Sequence, residues 1–359
     1  SNMAKIASNL TSSHYVIDDL EVHTYHYWKV VAKDSTGTYT SDTMKLYKKW
    51  WWRYGSDEFD ESTTSISDDG EYVVVSGENH AFHLFRNSDN TPLWTSSDSM
   101  QDIEAISISS DGEYIALAGS DDLYFFDKDS NTHIWKYEAD EGHFKDTVAI
   151  SSDGNNIAAG TTSGEVFYWD RISSTPLWRY DTGTDRVTDI SMSADGEYII
   201  VSAGESIYLF DKNNNSLWEY EAGDDVYTVE ISADGEYIIT GDGDETIYFF
   251  NKDSNEPIWD YESEGSVKCA DISSDGEYIV VGTRNPTSSS EQRIYVFDKD
   301  SSTPLWSYQI STDQHDNCVA ISEDGKFVSA AYTSTNKFHL WDRTNSTPLW
   351  STSDVAGMS

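Results

Sequence analysis

Apolar and polar residues alternate along this chain in short runs, separated by clusters of Asp, Gly, Asn and Ser. From Val187 the sequence reads "VTDISM", an alternating run, and Asp195-Gly196 then marks a tight turn. "EYIIVSAG" follows from Glu197, "SIYLFD" runs to Asp211, "NNNS" breaks the pattern, and "LWEYE" closes the unit. A period of two residues puts alternate side chains on opposite faces of a strand. Val, Ile, Tyr, Phe and Trp fill the runs, as half-buried strands prefer. Asp-Gly supplies the positive φ that a short hairpin needs. The unit therefore predicts four strands joined by hairpins, and such short connections make the sheet antiparallel.

The unit recurs. Asp-Gly pairs stand at Asp69-Gly70, Asp111-Gly112, Asp153-Gly154, Asp195-Gly196, Asp234-Gly235, Asp275-Gly276 and Asp324-Gly325. A period of roughly 40 residues with no helical pattern predicts propeller blades. Each unit closes on a tryptophan: Trp94, Trp135, Trp178, Trp218, Trp259, Trp306 and Trp350. Blades diverge away from the axis, so bulky rings belong on the outer strand and small residues on the inner one. Six positions before each Asp stand Thr63, Ala105, Thr147, Asp189, Thr228, Cys269 and Cys318, which fits that taper. The expected fold is all-β: a seven-bladed β-propeller of four-stranded antiparallel blades, or eight blades if the N-terminal segment supplies one.

Third strands end in Trp169-Asp170 and Trp341-Asp342, with Phe126-Asp127, Phe210-Asp211 and Phe297-Asp298 as variants. These endings and "VTDISMSADG" resemble the WD repeat. "DKDSSTPLWSY", from Asp298 to Tyr308, resembles the tryptophan-bearing end of the pyrroloquinoline-quinone-type (PQQ-like, quinoprotein-like) repeat. The resemblance spans about residues 57 to 353 and implies a propeller; both families host many functions. The Gly-His pair of WD repeats occurs only at Gly142-His143, out of register.

Three segments are expected: 1–3, a cloning scar (Ser1-Asn2) and Met3; 4–47, a β remnant; and 48–359, the propeller. "TYHYWKVVAKDSTG", within Tyr15 to Tyr47, resembles the last strands of a fibronectin type III domain, with His26 where that family has a Tyr. "KKWWWRYG", Lys48 to Gly55, has the look of a fourth strand and is a candidate for closing the ring, in competition with "TPLWSTS", Thr347 to Ser353.

Composition changes the picture in one respect. Asp and Glu number 64 against 23 Lys and Arg, a formal net charge of −41. Such a surface repels nucleic acid and anionic lipid. It suits a salty environment or attracts cations and basic partners. Hydrophobic residues make up only 37%, but 13 Trp, 23 Tyr and 13 Phe supply the core. No apolar run is long enough to span a bilayer, and no positively charged, apolar leader opens the chain. Cys269 and Cys318 occupy equivalent places in adjacent units, consistent with two buried thiols or with a disulfide.

Candidate chemistry lies in the loops. Asp127, Asp129 and Asn131, and Asp298 and Asp300, resemble the start of a calcium loop, with Glu138 and Glu262 at the twelfth place of two such runs. No Gly stands at the sixth place, and Asp, Asn and Ser are also ordinary turn residues. The loops from one blade to the next are acidic. They put Asp57, Glu58, Asp60, Asp140, Glu141, Asp224 and Asp225 on one end of the ring, a candidate face for a basic partner. The insertion "GTRNPTSSSEQR" adds Arg284 and Arg293 to that face. His80, His83, His143, His315 and His339 are scattered, and no HExxH or GxSxG motif occurs. A quinone enzyme needs a stacking Trp, a base and a calcium site, while the repeat's Trp residues are already accounted for as packing. Sequons at Asn9, Asn214 and Asn345 are compatible with export. The expectation is a non-catalytic interaction scaffold without cofactor, extracellular or on the cell surface, with a cytoplasmic place as the alternative. A cation- or glycan-binding module and a quinoprotein-like oxidoreductase are the competing readings.

Overall fold

The computed structural model describes residues 63–77, 81–89, 91–96, 100, 103–140, 142–144, 147–183, 186–284, 291–311, 317–332 and 337–351, and the backbone of four short strands before them. The chain divides into two compact units, residues 1–57 with 88–91, and residues 58–87 with 92–359. In the first, Tyr25–Trp28 pairs antiparallel with Met44–Tyr47, and Val31–Lys33 with Thr38–Thr40. The candidate closing strand at 48–55 lies outside the described residues.

The second unit is a propeller of seven blades, at 64–95, 103–138, 148–181, 187–221, 226–262, 266–311 and 317–351. In each, four antiparallel strands follow one another in chain order. The blade seen first in the sequence has Val187–Met192, Tyr198–Ala203, Ser206–Asp211 and Ser216–Glu221. Blade seven takes all four strands from its own repeat, ending at Trp350–Ser351. Apolar clusters lie between blades: Ile199, Val201, Tyr208 and Phe210 of blade 4 pack on Ala158, Val166 and Tyr168 of blade 3.

The repeated residues have repeated jobs. In every turn the Asp carboxylate accepts a Ser hydroxyl and a backbone N–H, as Asp195 does from Ser193 and Glu197. Six of the seven outer Trp residues reach the following blade. Nε1 of Trp94, Trp135, Trp178, Trp218, Trp259 and Trp306 donates to the carbonyl of Lys128, Arg171, Lys212, Lys252, Lys299 and Arg343, at 2.5–2.9 Å. The side chain of the accepting residue also works at that junction. Arg171, Lys252, Lys299 and Arg343 lie over Tyr114, Tyr198, Tyr237 and Tyr278 of the preceding blade. Lys128 and Lys299 pair with Glu113 and Glu277 on their own turns, each at 3.1 Å. In so acidic a chain, these scarce cations are placed where blades meet.

Near the axis the taper is only part of the explanation. The inner strand has no neighbour on its channel side, so its N–H groups need side-chain acceptors. Asp189 Oδ2 accepts Val229 N at 3.0 Å, and Thr228 Oγ1 accepts Ala270 N at 3.2 Å. The small and polar residues six before the turn therefore include two that cap the next blade's inner strand. Cys269 is half-buried against the core between blades 6 and 7; the side chain of Cys318 lies outside the described residues.

Candidate functional site

Antiparallel blades sort their connections by end. The Asp-Gly turns and the turns after third strands lie at one end; the second-to-third loops and the blade-to-blade loops lie at the other. At this loop end, blades 4, 5 and 6 bring several side chains together. The loop into blade 5 carries Asp224 and Asp225, and Asp224 Oδ1 accepts Asp225 N at 2.8 Å. Asp225 carbonyl accepts Gly243 N at 2.9 Å, which ties this loop to the Asp242–Glu245 turn of the same blade. Ser266 of blade 6 donates Oγ to Gly243 carbonyl at 2.8 Å.

Bulges re-aim residues beside these loops. The pairing of first and second strands slips between Val187 and Asp189, Val226 and Thr228, and Val267 and Cys269. Thr188, Tyr227 and Lys268 are the extra residues, and bulges turn side chains out of the regular alternation. Lys268 Nζ lies 3.4 Å from the centre of the Tyr227 ring, a cation–π contact across blades 5 and 6. Tyr227 is 38% exposed. Burial of the rest of its ring, then the charges of Asp225 and Asp224, push its hydroxyl pKa up.

The strain and the burial also sit here. Glu245 has φ 72°, where blade 3 has Gly164, and a non-glycine residue in that region is unfavourable. Asp242 is fully buried. It accepts Thr246 N at 2.8 Å and Tyr248 Oη at 3.0 Å. Burial nevertheless raises its pKa, against those hydrogen bonds and one from Gly223.

Farther along the channel wall stand three more acids, Asp189, Glu230 and Asp271. Glu230 accepts Ser191 Oγ at 2.7 Å. Its pKa is pushed well up by burial and by the charges of Asp189 and Asp271. Asp271 accepts Ile321 N at 2.7 Å and Ile272 N at 2.8 Å, yet burial raises it to about 6. Glu230 and Asp271 are half-buried residues whose carboxyls the wall encloses, so the loss of solvation wins.

The expected residues fall as follows. Asp127 Oδ1 accepts Asp129 N at 2.8 Å, and Asp298 Oδ1 accepts Asp300 N at 3.0 Å. Asp129 pairs with Lys128 at 3.1 Å, Asp300 with Lys299 at 3.7 Å, and Asn131 Nδ2 reaches Thr95 carbonyl at 3.4 Å. These are side-chain-closed turns at the end opposite the acidic loops. Among the described residues no three His, Cys, Asp or Glu side chains converge as a metal would require. Asp140 is exposed at the loop end. Arg293 pairs with Glu264 at 2.8 Å and donates to Ser307 at 3.2 Å. Arg284 is half-buried on the edge of the sixth blade's second strand, opposite Gln292. Asp57, Glu58, Asp60 and Glu141 lie outside the described residues. Tyr227, Lys268, Asp244 and Glu245 were not expected, nor was the inner acid group. The signal for the first two is a break in strand alternation; for the last it is one acid or more inside each of three consecutive inner strands.

No curated protein matches the chain. The family model described as outer membrane protein assembly factor BamB, built on the PQQ-type repeat, matches residues 49–261 and, in a second overlapping stretch, 175–358. Of the two repeat resemblances, the PQQ-type is the one this match carries. The match takes in most of the chain and all seven blades, and the chain belongs to the family of outer membrane protein assembly factor BamB.

Proposed function

We propose that this propeller is a non-catalytic scaffold that binds a basic protein or peptide through its loop end. The observation that carries this reading is the set of acids gathered there. Asp224 and Asp225 stand beside Tyr227, and their loop is hydrogen-bonded to the turn that carries Asp244 and Glu245, while several of the scarce cations are engaged at blade junctions toward the other end. Such asymmetry attracts and orients a basic partner. The family's namesake is described as an assembly factor, and acting on other proteins suits a scaffold. The same acidity, the sequons and the fibronectin-like lead-in support an exported or surface-attached protein. Among the described residues no helix is long and apolar enough to cross a membrane.

Calorimetry with a lysine-rich peptide tests the reading. Saturable binding that weakens steeply with added salt is expected. No heat at low salt, with saturable calcium or glycan binding instead, would favour the cation- or glycan-binding reading. The family's repeat type also raises quinone chemistry. The described residues offer it no metal-ligand cluster, and six outer indoles are bonded to neighbouring blades, so these residues do not fit that group.

A further inference from the structure

Six blade junctions share one pattern at the turn end, and the seventh departs from it. Asp68, Ser110, Ser152, Ala194, Ala233 and Ser274 each donate N–H to the equivalent carbonyl of the next blade, at 2.9–3.1 Å, and the chain of bonds ends on Glu323. At six turns, a Tyr or Asn of the preceding blade lies so close to the turn glycine that a methyl group there would overlap it. At Gly70 of blade 1, among the described residues only its own Ile66 comes within 4 Å of that point, at 3.9 Å. Ile66 is 59% exposed, while of its six equivalents Ile108, Ile231, Ile272 and Ile321 are 5–8% exposed and Ile150 and Met192 are half-buried. Phe327 of blade 7, which holds the place of the packing Tyr, is 36% exposed. Among the described residues, the turn end of the junction of blades 7 and 1 thus lacks the apolar contacts that press the other blades together.

What does meet there is a pair of acids. Asp68 and Glu323 are the only charged residues among the seven equivalent turn positions, and their carboxyls lie within hydrogen-bond reach. We propose that the facing carboxyls of Asp68 and Glu323 form a pH-dependent latch at the junction of blades 7 and 1, closed in acid and released as the pH rises. Two carboxyls in contact share one proton as an O–H···O bond; once both are ionised they repel. Burial, the charge and hydrogen bond of Asp68, and the charge of Asp324 all hold the proton on Glu323 above its ordinary range. Among the described residues no cation acts on Glu323 to reverse this. Lys326 acts on Asp324, and Arg86 is paired with Glu71 at 3.1 Å. Asp69, Asp111 and Asp275 on the nearby turns each hold their own serine hydroxyl. At the other junctions apolar packing masks any such effect; here little opposes it.

The native carboxyl keeps its proton at a pH where the unfolded chain has lost it. The latch's contribution is therefore full below the ordinary Glu range and is lost as pH rises through the raised value. Hydrogen exchange, corrected for the intrinsic pH dependence, reads this strand by strand in the full chain. Protection of Thr64–Ile66 and Asn317–Ile321 should fall roughly three- to tenfold between pH 4 and 8 relative to Val148–Ile150. In Glu323→Gln the amide donates to Asp68 without a titrating proton, so that difference should vanish; Asp68→Asn should do the same from the other side. An unchanged pH response in both variants overturns the proposal. So does a loss of protection spread evenly over all three strands.

Discussion

Trp135 shows how much one side chain does in this ring. It is 7% exposed and stacks between Phe125 and Trp169. Its Nε1 donates to Arg171 carbonyl at 2.8 Å. Trp135→Phe removes that bond and part of the ring while leaving an aromatic in place. The expected loss is about 2–3 kcal/mol, from the orphaned carbonyl and the lost buried area, read as a lower urea midpoint with an unchanged slope. Thr240 is the opposite case. It is fully buried, and its hydroxyl oxygen has no hydrogen-bond partner, where blade 4 has Val201 at the same place. Thr240→Val should raise stability by about 1 kcal/mol, and a fall in the thermal midpoint would contradict the account of that position.

The blade is the element whose design the sequence shows most openly. Alternation, the Asp-Gly turn and the closing Trp are local signals, so seven copies could be read off without knowing any neighbour. Gly154 illustrates the turn: its φ is 67°, and a methyl would overlap Tyr114 of the preceding blade. Gly154→Ala should cost roughly 2 kcal/mol or more, by the strained backbone alone and then by the clash, measured by chemical unfolding. What the sequence did not show depends on the next blade, some 40 residues away. The capping of Val229 by Asp189 exists only once inner strands stand side by side. Lys268 over Tyr227 needs two bulges in adjacent blades, and a bulge appears in sequence only as a missed beat. The loop acids were legible as charge, while their grouping around the Asp242–Glu245 turn was not.

For the whole molecule, charge and burial pull in different directions across the pH scale. Glu230 is raised well above its ordinary range, and Asp271 to about 6, by burial foremost. Their native forms hold protons that the unfolded chain has released. Stability from this group is present below the ordinary carboxylate range and is lost as pH rises toward 6 and beyond. Asp153, Asp211 and Asp342 are lowered by hydrogen bonds despite some burial, so their contribution is lost as pH falls through the acid range. A maximum in mildly acidic solution follows. Glu230→Gln should flatten the decline between pH 5 and 8 at fixed salt; an unchanged decline would remove the inner acids from the explanation.

The central claim is that the loop end, and not the turn end, is the binding face. Anisotropy of a labelled lysine-rich peptide decides it with two charge-matched variants. Asp224→Asn with Asp225→Asn and Asp244→Asn neutralises the loop end; Asp129→Asn with Asp253→Asn and Asp300→Asn neutralises three exposed acids at the turn end. The account predicts that the first variant weakens binding roughly tenfold or more, about 1.4 kcal/mol, and that the second leaves it nearly unchanged. Equal weakening by both would show non-specific attraction to an acidic surface, and weakening by the second alone would place the binding face at the other end of the ring.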